Sequence, residues 1–552
     1  MSRTYDDTMF KDTFEHEYTW LNGFMRNVRR FHDRPAVIDP KRGINLTYKE
    51  LNRDANRLAH ALRDDGLGKD DIVMTALRNS PEFAVSYVGP RKIGSILLAA
   101  NYNLASGEMA KLIDFNKPKV FIYSANVADM AKEAIDLCHY KPIRVVLADN
   151  IEGKPVPEGH ISYEEYTGEQ DETDPEMDFR PHIYDEVVRL CTSGTTALPK
   201  SVPISDINEV LSAHDVIMQF SLVPRDATLN TTPWFHRGGV HIGGCCPTFY
   251  VGGTCVIMRD FNAKAALKWV KEYGVTHIIG APASLEMLYR TKIQSKIDTS
   301  GIKAIITMGA PLDKAACIRY QEYLTPNIFN GYGTTEMFVN SYLRPYDLPD
   351  GAGSVGNSAI DDEVRVVKIY DGKKAEPDEL VPCDSKTEGE VITFAPQKTT
   401  YSYYNNDEMT KEKFYKGWMY TGDTAVWDEN WKVTIMGRKD DMVVVSGENI
   451  YPQQIEEAIL EDKRVKDCIV TSLPDKIRGH VIAAYVVPED RSLTVQDVFE
   501  FCGKSKDISK YKMPRYVGII DEIPRTATGK KMHNVMKKRA PEDLKSNILR
   551  RS

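Results

Sequence analysis

Over the first two-thirds of the chain, short runs of β-branched and aliphatic residues alternate with segments whose apolar positions recur at helical spacing. The runs Ile72 to Leu77, Ser95 to Ala99, Val120 to Tyr123, Ile143 to Leu147, Thr254 to Met258, Val275 to Ile279 and Lys303 to Met308 read as strands. Their near-continuous apolar character predicts strands covered on both faces, as in α/β sheets. Between two of them Asn262 can cap a helix bearing Ala266, Leu267 and Val270, and Gly274 can end it, which makes a βαβ unit.

From about Val339 to Gly437 the helical periodicity fades. Turns and short strands such as Glu363 to Ile369 and Gly389 to Phe394 predict a smaller β-rich subdomain there. After the charged run Gly437-Arg438-Lys439-Asp440-Asp441 the pattern restarts. Pro452 opens a helix with Ile455, Ile459 and Leu460 on one face, and a strand from Val481 to Val487 follows. A charged boundary between two patterned regions marks a hinge. The expected division is a large domain over 1–439 and a small one over 440–552.

Composition narrows the picture without deciding it. A chain of 552 residues exceeds one ordinary core, so two or more domains are expected. A formal net charge of −8 disfavours a nucleic-acid partner. No apolar run approaches the ~20 residues of a membrane span, so no transmembrane segment is expected. The start, Met1 to Asp7, is acidic and has no apolar core of a secretory signal, which leaves the Asn45-Leu46-Thr47 sequon without weight. Nine scattered cysteines with no C-x-x-C pair read as buried free thiols of a reducing, cytoplasmic setting.

The chemistry starts at Thr192-Ser193-Gly194-Thr195-Thr196-Ala197-Leu198-Pro199-Lys200, a loop of hydroxyls and backbone amides with one lysine after an apolar strand. Such a loop can wrap a polyphosphate. It is not a Walker loop: Pro199-Lys200-Ser201 stands where Gly-Lys-Ser would be required, which excludes a P-loop kinase. Four further segments carry reactive groups. Pro233-Trp234-Phe235-His236-Arg237-Gly238-Gly239 offers a histidine at a flexible turn, and Asn330-Gly331-Tyr332-Gly333-Thr334-Thr335-Glu336 offers an aromatic face, hydroxyls and a carboxylate. Trp418 to Asp423 ends in an acid at a turn, and Pro524-Arg525-Thr526-Ala527-Thr528-Gly529-Lys530 presents a lysine near the C-terminus. The run Gly351 to Gly356 fits G-x-G-x-x-G, but no strand precedes it and no helix follows, so it reads as a turn.

Together and in this order, these segments closely resemble the adenylate-forming superfamily of acyl-CoA synthetases, adenylation domains and firefly-type luciferases, over nearly the whole chain. Ser446-Gly447-Glu448-Asn449-Ile450-Tyr451-Pro452 looks like the loop of its acid–CoA ligases. The resemblance implies an α/β multidomain fold. A large N-terminal domain would hold two stacked α/β subdomains and the β-rich subdomain, followed by a small mobile α+β C-terminal domain. It implies an AMP-forming acid–CoA ligase that uses ATP, Mg²⁺ and coenzyme A, and it is compatible with a homodimer.

Position by position, the resemblance implies that Thr192, Ser193, Gly194, Thr195, Thr196 and Lys200 hold the β- and γ-phosphates of ATP. Tyr332 would stack on adenine, with Gly309, Ala310 and Pro311 lining the base and Asn330, Gly331 and Gly333 beside it. Thr335 would bond the α-phosphate, and Glu336, with Thr195, would hold Mg²⁺. Asp423 would accept the ribose hydroxyls, near Arg438 and Ile435. His236 would stand between the acyl carboxylate and the thiol route, and Lys530 would bridge carboxylate and α-phosphate during adenylation. Asp440 would be the hinge about which the C-terminal domain turns, bringing Ser446, Gly447 and Glu448 to a channel for the pantetheine arm.

The family pattern has departures here. Ala197 and Ser201 replace glycines, Tyr420 stands where many relatives have histidine, and His480 where glutamate is common. Lys504, Lys506, Lys510 and Lys512 are either a CoA phosphate site or a solvated basic face. Arg237, Val240, His241, Met337, Phe338 and Val339 fall where the acyl pocket is expected; Arg237 and His241 either greet a polar group of the acid or lie on the loop surface. Two alternatives to a CoA ligase stand beside it: loading of a carrier-protein thiol, and a non-catalytic nucleotide-binding relative. The joint presence of Lys200, Glu336, Asp423 and Lys530 argues against the second.

Overall fold

The structure is a computed structural model. It describes all residues except 1–5, 193–199, 310–311, 371, 440–442, 446–447, 451, 476–478, 506–507, 509–511, 526–530 and 552. The chain forms two compact units, Met1–Glu363 with Thr393–Met419, and Val364–Ile392 with Tyr420–Ser552.

The first unit is built on two sheets. The nine-stranded sheet runs in the order Asn357–Ser358, Phe338–Leu343, Ile328–Thr334, Ala304–Met308, Val275–Gly280, Ala227–Asn230, Thr254–Ile257, Pro35–Asp39, Ile44–Thr47. Its six inner strands are parallel and the outer pairs antiparallel. The seven-stranded sheet runs Ile161–Ser162, Arg144–Ala148, Val120–Ser124, Ile72–Ala76, Ile96–Ala99, Glu186–Thr192, Lys200–Ser205, and only its last pair is antiparallel. All seven expected strands of this region form, with ends shifted by a single residue at most.

The βαβ unit is as expected. The Asn262 side chain accepts from Ala265 N at 2.9 Å to cap the helix Ala263–Glu272, and Gly274 follows it at φ +65°. Val73, Leu97 and Leu190 of one sheet share a core with Val37, Cys255 and Ile257 of the other. The two α/β layers are therefore stacked on common apolar surface, the largest favourable contribution to holding them together.

The second unit has a sheet ordered Glu363–Val367, Gly389–Phe394, Trp418–Trp427, against whose last strand Val433–Arg438 pairs antiparallel. It also has a four-stranded sheet, Val465–Asp475, Gly479–Pro488, Tyr516–Ile519 and Arg550–Arg551. Helices Pro452–Leu460 and Val495–Lys504 supply Ile455, Ile459, Val498 and Phe499 to one core over that sheet, and His533–Lys545 supplies Met536 and Ala540 to another. Leu460 departs from expectation: it is exposed at the helix end while Ile455 and Ile459 are buried. The free cysteines are buried except Cys191 and Cys383, which are half-buried. No helix among the described residues is long and apolar enough to cross a membrane.

Candidate active site

Four parallel strands of the nine-stranded sheet, Ala227–Asn230, Val275–Gly280, Ala304–Met308 and Ile328–Thr334, end on one edge. Ligands of open α/β sheets bind at such carboxyl ends. His236 lies beyond the first of these strands, half-buried at the N-cap of the short helix Arg237–Val240, with its ring 4.1 Å from that of Phe235. Gly309 follows the third strand with φ +82°, a conformation that a residue without Cβ adopts freely. Asn330 is buried and donates to Ser354 O at 3.2 Å, whereas Tyr332 is half-buried and Gly333 exposed.

Strand Ile328–Thr334 turns back as Phe338–Leu343, with Thr334 opposite Phe338, so Thr335-Glu336-Met337 is the tip of a tight hairpin. The Thr334 hydroxyl accepts from Met337 N at 3.2 Å, and Phe338 adopts φ +61°. The backbones approach closely below the tip: a Cβ on Gly333 would lie 1.8 Å from Phe338 O. The tip is held on both sides. Arg237 Nη1 donates to Thr335 O at 2.5 Å, and the Tyr403 hydroxyl donates to Glu336 Oε1 at 2.5 Å.

Arg237 and His241 are not on the loop surface; both are buried, at 3% and 0% exposure. Arg237 also donates Nη2 to Lys398 O at 2.6 Å and lies over the Phe338 ring at 5.3 Å. Burial lowers its guanidinium to about 10, still cationic at neutral pH. His241 bonds Glu209, which also takes Arg91 and the Tyr87 hydroxyl. Burial works against the Glu209 carboxylate, but the His241 ring and Arg91 outweigh it and hold it well below the usual range. Glu209, His241 and Cys246 bring one ligand atom each within 4.8 Å of one another. The carboxylate is already balanced by Arg91, and burial pushes the Cys246 thiol well up, so the cluster reads as a structural network.

Thr192 and Lys200 face each other as the last pair of an antiparallel ladder. The segment between them thus links two strands, whereas a P-loop joins a strand to a helix. Ser193, Gly194, Thr195 and Thr196 lie outside the described residues, as do Ala310 and Pro311. Ser201 is fully buried, with its hydroxyl 3.5 Å from the Cys191 sulfur, so the departure from glycine there is a packed strand position.

In the second unit, Asp423 and Arg438 are register partners, and Arg438 Nη1 donates to Asp423 Oδ1 at 2.7 Å and to Thr421 O at 3.0 Å. Ile435 pairs with Ala425 on the same ladder and is half-buried. Tyr420 is buried and donates its hydroxyl to Ala375 O. Glu448 opens the strand Glu448–Ile450, which pairs with Val443–Val445; Ser446, Gly447 and the expected hinge Asp440 lie outside the described residues. Lys530 does too, although its neighbours Arg525 and Lys531 form an antiparallel bridge. Lys531 Nζ and His533 Nε2 meet the buried Glu456 carboxylate at 2.7 and 2.6 Å. Lys504 is exposed, 4.0 Å from Glu500, as on a solvated face.

Comparison with known proteins decides the family. Residues 24–399 match the model of the AMP-binding enzyme family, and 454–530 match that of the AMP-binding enzyme C-terminal domain. The chain belongs to the AMP-binding enzyme family. Within this adenylate-forming superfamily it falls in the acyl-CoA ligase branch and is an AMP-forming acid–CoA ligase. It is 29% identical over 506 residues to the indoleacetate–CoA ligase of Aromatoleum aromaticum, covering 90% of this chain and 93% of the relative. It is 28% identical over 510 residues to the long-chain-fatty-acid–CoA ligase FadD13 of Mycobacterium tuberculosis, covering 91% and 94%. The structure of the anthranilate CoA ligase AuaEII in complex with anthranoyl-AMP aligns with a TM-score of 0.81 at 23% identity, covering 96% of this chain and 97% of that one.

Sequence reasoning missed Lys398 and Tyr403 as partners of the site. Neither carries a periodic or motif signal; both lie some 60 residues and more beyond the hairpin they support.

Proposed function

We propose that this acid–CoA ligase works in two half-reactions. A carboxylate attacks the α-phosphate of ATP, pyrophosphate leaves, and the resulting acyl-adenylate is displaced by the thiol of coenzyme A with release of AMP. The observation that supports this best is the braced hairpin tip, which holds the Thr335 main chain and the Glu336 carboxylate at the edge where parallel strands end. Bringing a carboxylate to a polyphosphate is opposed by like charge, so fixed donors and cations are where the rate comes from. Thr335 is proposed to donate to the α-phosphate, Asp423 to accept from the ribose hydroxyls with Arg438 fixing its orientation, and Tyr332 to stack on the base. Lys200 and Lys530 are proposed to place positive charge on the leaving and attacking groups respectively. Residues 440–552 are proposed to turn about Asp440 between the steps, and the location is proposed to be cytoplasmic.

The donor set fits a magnesium ion. Mg²⁺ takes one or two carboxylates and completes its shell with phosphates and water, and Glu336 supplies one carboxylate beside the Thr335 hydroxyl. When bound, the ion neutralises phosphate charge.

The acid is proposed to be compact, aryl or arylalkanoic. The segment after His236 is tightly filled: a Cβ on Gly238 would meet the Met308 sulfur at 2.9 Å, one on Gly243 would meet Ile279 at 2.3 Å, and His241 and Phe338 are buried. Close packing where the acyl pocket is expected supports the indoleacetate-like side of the relatives over the long-chain-fatty-acid side.

A panel of benzoate, indoleacetate, octanoate and palmitate, followed by AMP release with and without CoA, tests the reading. Preferred use of an aromatic acid with CoA-dependent thioester supports it. AMP release without any thioester would shift the second step to a carrier-protein thiol, and no ATP cleavage with any acid would sink adenylation itself. Lys530→Ala should suppress pyrophosphate release while sparing thioester formation from supplied acyl-adenylate.

A further inference from the structure

The guanidinium of Arg237 joins the two segments expected to handle the two ends of the reacting pair. It follows His236 directly, and its fork reaches across to the hairpin: Nη1 to Thr335 O at 2.5 Å and Nη2 to Lys398 O at 2.6 Å. Below it lies the face of Phe338, the first residue of the returning strand, at 5.3 Å. Lys398 is itself fixed. Its ammonium contacts Asp215 and Asp362 at 2.9 Å each and donates to Val339 O, on the same returning strand, at 2.9 Å. The carboxylates of Glu209, Glu336 and Asp362 and the Cys246 thiol are the acidic groups that act on Arg237.

We infer that Arg237 is a positioning residue for adenylation, locking the Thr335–Glu336 tip in register with His236. The inference rests on the adenylation reading above. A planar fork holds two carbonyls at once in one rigid geometry, whereas an ammonium is a point charge with rotatable donors on a flexible stem. The carbonyl it holds belongs to the residue proposed to meet the α-phosphate, and the chain it extends from carries the histidine proposed to meet the acyl carboxylate. The bond is thus a short tie between the two reactants' binding segments. Displacements of about 1 Å in such a constellation cost on the order of 10²-fold in rate.

The test uses the full-length enzyme with the panel acid that wild type turns over fastest. Arg237→Met fills the volume without charge or donors, and Arg237→Gln keeps a single donor nitrogen without the charge. In Arg237→Met, pyrophosphate exchange at saturating ATP should fall by about tenfold or more, while thioester formation from the supplied acyl-adenylate stays within about twofold of wild type, well under the loss expected for a displaced tip. Arg237→Gln should recover part of the exchange rate. Exchange unchanged in Arg237→Met, or both half-reactions falling together, overturns the inference. Should Arg237→Met fail to fold, Arg237→Lys carries the same test, since it keeps the buried charge and loses the fork; unchanged exchange there also overturns it. A wild type inactive in exchange with every acid would strike the adenylation reading, whereas an active wild type indifferent to residue 237 strikes only this inference.

Discussion

The hydroxyl of Tyr403 donates to Oε1 of Glu336 at 2.5 Å, across 67 residues of sequence, at a buried position. A carboxylate held in this way presents its remaining lone pairs in a fixed direction. Hydrogen bonds to charged groups contribute about 1.5–3 kcal/mol. Tyr403→Phe is therefore expected to lower adenylation by roughly tenfold or more, as a fall in kcat. Pyrophosphate exchange measured across a Mg²⁺ titration checks this; a variant indistinguishable from wild type at every Mg²⁺ concentration would show that the bond does no positioning.

Lys398 is fully buried between Asp215 and Asp362. Removing one member of a buried ionic group leaves charge uncompensated and typically costs about 3–5 kcal/mol. Lys398→Met should destabilise the protein to that extent in urea unfolding at pH 8. Burial already pushes Asp362 up to about 6, against the pull of Lys398. Without that pull Asp362 titrates higher in the variant, so the loss should shrink as pH falls from 8 toward 6, where the carboxyl takes a proton and becomes neutral. A loss independent of pH would argue that lost packing, not charge, is responsible.

Burial pushes Asp206 up to about 7, with Arg91 opposing, and its Oδ1 accepts from Trp20 N at 2.5 Å. A carboxyl whose folded value is raised above its unfolded one binds more protons when folded, so stability falls as pH rises between the two values. The window here runs from about 4, the ordinary aspartate value, to about 7. Asp206→Asn keeps the acceptor and removes the titration. Its thermal midpoint should gain on wild type as pH is raised through this window, and parallel curves for the two proteins would refute the assignment.

Arg438 holds Asp423 Oδ1 at 2.7 Å. If Asp423 receives the ribose, Arg438→Gln should raise KM for ATP several-fold and leave KM for the acid unchanged. Steady-state kinetics with each substrate varied separates the two; a rise confined to the acid would remove the ribose role.

Much of the fold was legible because apolar runs and caps are local signals. The Asn262 cap, the Gly274 stop and the parallel strands could be read from neighbouring residues alone. Motif order likewise singles out His236, Thr335, Glu336 and Asp423, whose roles are the ones proposed above. What was not legible depends on distant partners. Arg237 and His241 sit in a glycine-rich turn that reads either as acyl pocket or as loop surface, and only Lys398, Thr335 and Glu209 explain why they are buried. Ser201 stands where the family pattern has a glycine, and only the fold shows it to be a packed strand residue beside Cys191. Leu460 fitted the helix face by spacing, but the helix ends there and leaves it exposed.

The main-chain contact beneath the hairpin has a consequence for how such an enzyme can change. With Phe338 O occupying the space a Cβ on Gly333 would need, the distance between the two strands there is set by backbone against backbone. Side-chain volumes elsewhere can then drift toward new acids while the geometry that activates any acid stays put. Substrate choice and activation chemistry are, to that extent, separately heritable.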